Sequence, residues 1–215
     1  MPRRTRGHIQ DRTPGRAAGL AAVGVAAWSI SRGLHHSPTP APSQTHSPSQ
    51  SAVAAAVPLT PASATVYNPL GSSGDDDPSD AAKAIDGSAS TFWHTSYYLG
   101  HQFGNLKKGT GLILDMGRPV RLSQLTVQFG ANCCTHVMIE VGNSTASAAT
   151  LSTFTPVQSS SAAHGSTTFD VTNKATGRYV LIWITDLPPL AGSPGKYQTQ
   201  IYDVTVHGFA ASQPG

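Results

Sequence analysis

Between Trp93 and Phe103 the chain crowds ring-bearing side chains into one short stretch: Trp93, His94, Tyr97, Tyr98, His101 and Phe103. Tyrosine and histidine offer an apolar body with a polar tip, a combination suited to stacking on a sugar ring while hydrogen bonding to its hydroxyls. His94, Tyr97, Tyr98 and His101 are therefore the candidate ligand-binding residues, and Trp93 is expected in the core. A second group is Asp75, Asp76, Asp77 and Asp80. Its spacing is not that of a calcium-binding EF-hand loop. It reads as a solvated loop leading into a helical turn, because acids favour helix N-termini. Cys133 and Cys134 are adjacent and cannot staple distant segments. They are expected to be two thiols, since a bond between neighbours departs from ordinary disulfide geometry.

Catalytic machinery is not visible. There is no G-x-S-x-G, H-E-x-x-H, P-loop or G-x-G-x-x-G pattern, and the histidines are scattered. Glycoside cleavage would call for two facing carboxylates, and no such pair is apparent. The expectation is a binding module and not an enzyme.

These residues must be held by strands. Only 12% of the chain is charged, and Glu140 is its sole glutamate, a composition poor in helix formers. Short apolar or alternating runs occur at 111–116, 120–129, 137–141, 167–171, 178–185 and 200–207. They are separated by turn signals such as Gly117-Arg118-Pro119 and Pro188-Pro189. Many short strands spaced in this way indicate a sandwich or barrel. One helical turn is expected at 79–84, with Asp77 capping it and Pro78 at its first position.

The domain so described covers residues 62–208, and residues 209–215 form a tail. Upstream lie a basic stretch (1–16), an Ala/Val/Gly-rich segment (17–34) that is uncharged as far as Ser31 and carries Trp28, and a Pro/Ser/Thr-rich stretch (35–61). Residues 1–34 hold six arginines against Asp11 alone, which exceeds the net +3 of the whole chain. The domain is thus slightly acidic and shows no basic face for nucleic acid. The apolar segment fits a signal anchor or weak transmembrane helix, and no small-x-small cleavage site follows it closely. The flanking arginines place the start of the chain in the cytoplasm. The Pro/Ser stretch reads as a disordered linker. The expected protein is a single-pass protein of the cell membrane whose C-terminal domain is extracytoplasmic. Its expected partner is cell-wall or other glycan, or alternatively an envelope protein for which the domain serves interaction or sensing.

Four motifs in order carry a resemblance. Residues 83–93, KAIDGSASTFW, resemble the A-x-D-G-x-x-x-T-x-W loop of discoidin-type domains. Residues 111–117 resemble their hydrophobic-Asp-Leu-Gly strand, 178–182 their Arg-Tyr-Val strand, and 201–208 their closing strand. The resemblance implies an all-β, discoidin-like (galactose-binding-like) jelly-roll β-sandwich, preceded here by the short membrane helix and the disordered linker. It also implies one structural Ca2+ in the first loop, with Asp86, Ser88, Thr91 and Asp203 as its protein ligands. The run 91–117 is similar to the C-terminal extracytoplasmic domain of actinobacterial MviN/MurJ-like and kinase-like proteins. No kinase or multi-span region occurs here, so their transport or phosphotransfer activity is not implied.

Overall fold

The computed structural model describes residues 55–72, 74–145, 150–172 and 175–210. The basic tail, the apolar segment 17–34 and most of the linker lie outside these residues, as does the chain beyond Ala210. Among the described residues no helix is long and apolar enough to cross a membrane.

The described residues form nine strands in order: β1 (Val57–Leu59), β2 (Ser63–Tyr67), β3 (Trp93–His94), β4 (Thr110–Phe129), β5 (Thr135–Gly142), β6 (Phe154–Ala163), β7 (Ser166–Asp170), β8 (Thr176–Asp186) and β9 (Gln200–Ala210). The runs at 111–116 and 120–129 are one strand and not two. β4 continues through Gly117-Arg118-Pro119, where its register against β8 shifts between Asp115 and Val120 and Gly117 takes φ +72°. A glycine there lets the strand turn without a Cβ penalty.

That bend creates the two layers. The first half of β4 pairs with β2 and β8, and β8 continues to β5 and β6. The second half pairs with β7 and β9, and β9 also carries β1 and β3. The layers close on a core that includes Leu112, Leu125, Val127, Val180, Ile182 and Val206. Side chains alternate across a strand, so Ile113, Leu181 and Trp183 point to the other face of the first layer. There they bury with Tyr67, Phe154 and Tyr179.

Several boundaries differ from the sequence expectation. β1 lies within the stretch read as linker. It is an edge strand paired only to β9, and an edge tolerates Pro58, which has no N–H to give. β9 extends to Ala210. β6 was not anticipated because its sequence, FTPVQSSSAA, is polar and buries only its ends. The expected helical turn is a 3-10 helix, Pro78–Ile85. Asp77 precedes it in a left-handed conformation but makes no side-chain capping bond.

Glu140 stands on β5 and is buried, and burial raises its carboxyl above the usual range. An acid with a raised folded pKa is bound to its proton more tightly in the native state. Its contribution is therefore absent below the unfolded value near 4.5, turns against folding as pH rises above that value, and reaches its full cost once pH has passed the folded value. Glu140→Gln is expected to raise the melting midpoint relative to wild type at neutral pH and to leave the difference near zero at pH about 4. Thermal melts across pH check this, and equal offsets at both ends would contradict it.

Candidate functional site

The loops that join the strands collect at one pole. β4 begins there at Thr110, β5 at Thr135 and β9 at Gln200, and β8 ends there at Asp186. The connecting segments 95–109, 130–134 and 187–199 therefore meet, together with 68–77.

The centre of this pole is a buried aspartate. Asp76 is 0% exposed. Its carboxylate accepts bonds from Lys107 Nζ, from the Tyr98 hydroxyl at 3.0 Å and from Ser96 N–H at 2.9 Å. Its backbone N–H donates to Ser96 Oγ, and its carbonyl accepts the Trp93 indole N–H at 2.7 Å. Lys107 is itself buried, donates to Asn68 Oδ1 at 3.0 Å, and lies over the rings of Tyr98 and Phe103. The expectation of a solvated acidic loop thus fails at Asp76. Only a buried carboxylate with this many donors avoids the desolvation cost of a lone charge.

The same network divides the expected ligand residues. Trp93 is in the core, as expected. Tyr98 is 8% exposed and faces inward, its hydroxyl committed to Asp76. Burial and then the Asp76 charge push its phenol far above the ordinary tyrosine range. Tyr97 points outward, 55% exposed, with Lys196 Nζ 4.0 Å from its ring centroid. The His101 side chain is 59% exposed and pairs with Asp186 through Nδ1. His136 Nδ1 stands 3.6 Å from the other oxygen of the same carboxylate. His94 is half-buried: its Nδ1 lies 2.8 Å from Asp77 Oδ2 and 3.2 Å from Gln198 Nε2, which donates to Thr95 O at 2.8 Å.

Gln198 links His94 to a hollow of about 190 Å³. Its walls are the turn 130–132 and the segment 188–191, joined by a bond from Asn132 Nδ2 to Pro189 O at 2.8 Å. Gln200 and Tyr202 complete it. The Tyr202 ring leans on Phe92 at 4.9 Å, and Phe92 in turn meets His94 at 5.8 Å. Sequence reading missed Asn132, Gln198, Gln200 and Tyr202, which carry no motif and lie far apart along the chain. Phe92, beside Trp93, was the one available signal. Beside this hollow Cys133 and Cys134 are joined as a vicinal disulfide across a cis peptide bond, not as the expected thiols.

In the loop expected to hold a cation, Asp86 accepts the Thr91 hydroxyl at 2.7 Å and Ser88 N–H at 2.9 Å. The Thr91 bond, then that of Ser88, holds the Asp86 carboxyl below the usual carboxylate range. Thr91 Oγ1 is also 3.4 Å from Ser88 O. Oxygens of Asp86, Ser88 and Thr91 thus converge. Asp203 lies on β9 opposite Gln128, and among the described residues no hydrogen bond joins it to the loop. Lys83 turns away to Asp80 at 2.8 Å. Among the described residues no group of three or more His, Cys, Asp or Glu is arranged to hold a metal ion; a site of hydroxyl and carbonyl oxygens is a different donor set.

With this geometry the chain can be compared with known proteins. Residues 83–182 match the family model described as "NedA-like, galactose-binding domain". Similar solved structures include chitosan-binding module 1 of a chitosanase/glucanase from Paenibacillus sp. IK-5. It is 18% identical over 70% of this chain and 96% of that one, with a TM-score of 0.47. Module 2 of the same enzyme, in complex with chitotriose, is 18% identical over 70% and 98%, with a TM-score of 0.49. The CBM32 of AlyQ, in complex with 4,5-unsaturated mannuronic acid, is 16% identical over 70% and 97%, with a TM-score of 0.47. The family match agrees with the galactose-binding-like, discoidin-like fold expected from the four sequence motifs.

Removing one partner of a buried ion pair leaves the other uncompensated. Lys107→Met is expected to lower stability by about 3–5 kcal/mol. The double variant Asp76→Asn/Lys107→Met should recover part of that loss. Urea denaturation of the three proteins measures both, and an additive double variant would contradict the coupling.

Proposed function

We propose that the domain is a non-catalytic glycan-binding module whose site is the hollow beside His94. One observation carries this reading. None of the residues lining the hollow bears a charge, while Asn132, Gln198 and Gln200 bring amide groups and Tyr202 brings a ring and a hydroxyl. Side-chain amides both donate and accept, as sugar hydroxyls do, and the aromatic and proline surfaces suit the apolar face of a pyranose. Tyr97 and His101 stand on the segment 95–109 of the same pole and do not line the hollow. The match to a galactose-binding family supports the same ligand class.

The reading includes a tether. β1 pairs with the far end of β9, Val57 opposite Gly208. The hollow lies at the near end, by Gln200. Eight residues of strand separate the two, roughly 26 Å at ~3.3 Å each. β1 therefore lies at the end of β9 opposite the hollow. The order of arginines, apolar segment and linker in the sequence supports a single-pass membrane protein with this domain outside. The run 91–117 supports kinship with the C-terminal domain of MviN/MurJ-like proteins. The alternative, contact with another envelope protein, is favoured by the exposed Leu70, Leu99 and Leu106 on the same pole.

The full chain applied to a glycan array and to purified peptidoglycan tests the reading. At least one saccharide is expected to bind, and Gln198→Ala is expected to weaken that binding about tenfold, roughly one bond's worth, in a chain that still unfolds cooperatively. Blank results on both surfaces would sink the glycan reading and leave the protein-contact one.

We propose further that the Asp86 loop holds one structural Ca2+. The convergent oxygens of Asp86, Ser88 and Thr91 are hard donors of the kind calcium takes in sets of ~6–8. A ligand of the native state raises stability by mass action, about 2.7 kcal/mol at a hundred times its Kd. Excess Ca2+ is expected to raise the melting midpoint over that in chelator, and Asp86→Ala to abolish the difference. No shift in the wild-type chain would refute the site.

A further inference from the structure

We propose that the site is built for a run of linear, uncharged polysaccharide longer than one sugar unit, and not for a single terminal sugar. This rests on the glycan reading above and narrows its ligand.

The hollow beside His94 does not end at Tyr202. A second hollow, of about 390 Å³, is lined by Ala89, Gln128, Phe129, Ala131, Gly165 and Tyr202. The two share Ala131 and Tyr202 and so form one groove with a partition. It runs from the segment 188–191 to the Asp86–Thr91 loop, which contributes Ala89. The first lobe alone is smaller than the ~300–1,000 Å³ of ordinary small-molecule sites, the second lies at the low end of that range, and the two together give a longer site than either.

The partition is fixed by the strand ladder. Gln128 faces Asp203 and Phe129 faces Ile201, so Tyr202 is the extra residue of a β-bulge on β9. Bulges re-aim a side chain out of the ladder. The Tyr202 ring rests against Phe92, and its hydroxyl reaches Gln200 Oε1 at 3.4 Å. The opposite partition residue is alanine, with Gly130 and Gly165 lining the lobes on either side. Small residues here leave a passage between the lobes, where a larger side chain would close it. Each lobe has its own amide, Gln198 in the first and Gln128 in the second, so hydroxyl recognition is repeated along the groove.

Charge decides the ligand class. No Lys, Arg, Asp, Glu or His lines either lobe. The neighbouring hollow on the same pole, lined by Leu106, Lys107, Lys108 and Asp186 among others, shows that charged side chains are available there. A uronic acid or phosphate placed in the groove would lose hydration without gaining a cationic partner.

The test is titration calorimetry of the full chain with neutral β-1,4-linked oligomers of glucose, mannose and N-acetylglucosamine, from monosaccharide to hexamer, and with oligouronates as charged controls. For the series that binds, affinity is expected to rise about tenfold from monomer to trimer and then level off, as a second lobe adds contacts worth ~1.4 kcal/mol. Ala89→Trp, which fills the second lobe, is expected to bring the trimer-to-monomer ratio near one. Gln128→Ala is expected to lower it, each variant keeping the wild-type melting midpoint. Equal affinity for monomer and trimer in the wild-type chain, an unchanged ratio in both variants, or preference for the oligouronates would overturn the inference while the glycan reading stands. Binding of no saccharide at any length would remove both.

Discussion

A carboxylate with no exposed surface organises the pole on which the candidate site lies. Asp76 pairs with Lys107 with both side chains almost fully buried, and the idealised cost of burying such ions is far greater than their gain from one bond. The pair stands because five further polar contacts converge on it from segments distant in sequence: the Trp93 indole, the Ser96 N–H and hydroxyl, the Tyr98 hydroxyl and Asn68. Trp93 stands on β3, while Asn68, Ser96 and Tyr98 lie in loops outside the named strands. Asp76 gives them a shared register, and the directions of the neighbouring residues follow. Tyr98 is drawn inward to the carboxylate, so Tyr97 must point outward. Asp77, one residue on, is left free to hold His94.

The sandwich supplies what the ion pair cannot, the separation of poles. β4 is long enough to belong to both layers, and its bend at Gly117 sends one half to β8 and the other to β9. Since β9 runs from the loop pole to the opposite one, its first residues line the groove and its last residues pair with β1. Entry of the chain and the groove are thereby held at opposite ends by one strand. The same strand carries the bulge that turns Tyr202 out of the ladder. A local irregularity in a regular element therefore places the ring that the loops alone would not hold.

The strands that were legible in the sequence are those buried on at least one face. The run at 178–185 is apolar on both faces because β8 lies between β4 and β5 with packing above and below. Residues 120–129 alternate because β4 there has one inner face. β6 left no such trace: as an edge strand it needs few apolar residues, and its serines read as loop. The ring-rich stretch was visible as chemistry, yet its sorting was not. Tyr97 and Tyr98 are identical in type and adjacent, and only the position of Asp76 distinguishes them. Asp76 in turn looks like its neighbours Asp75 and Asp77. The groove amides were hidden for a different reason, since Gln128, Gln198 and Gln200 are ordinary surface residues until the fold brings their strands together.

Charge is partitioned over this pole, and that partition bears on selectivity. The pole has charged residues in number: Asp77, Asp186, Lys108, Lys196 and the Asp76–Lys107 pair. Each described one except Lys108 is engaged with a neighbouring group: Asp77 with His94, Asp186 with His101, Lys196 with the Tyr97 ring. These contacts tie charge to the loop frame and leave the groove to amides, small residues and rings. A neutral hydroxylated ligand can exchange its water bonds for amide bonds at little net cost, so affinity accumulates slowly and by contact length. An anion would meet the opposite balance, full desolvation against no cation in the lining. On the proposed reading, neutrality of the groove would discriminate by penalising the wrong charge, while the repetition of amides along it would favour ligands that are themselves repetitive.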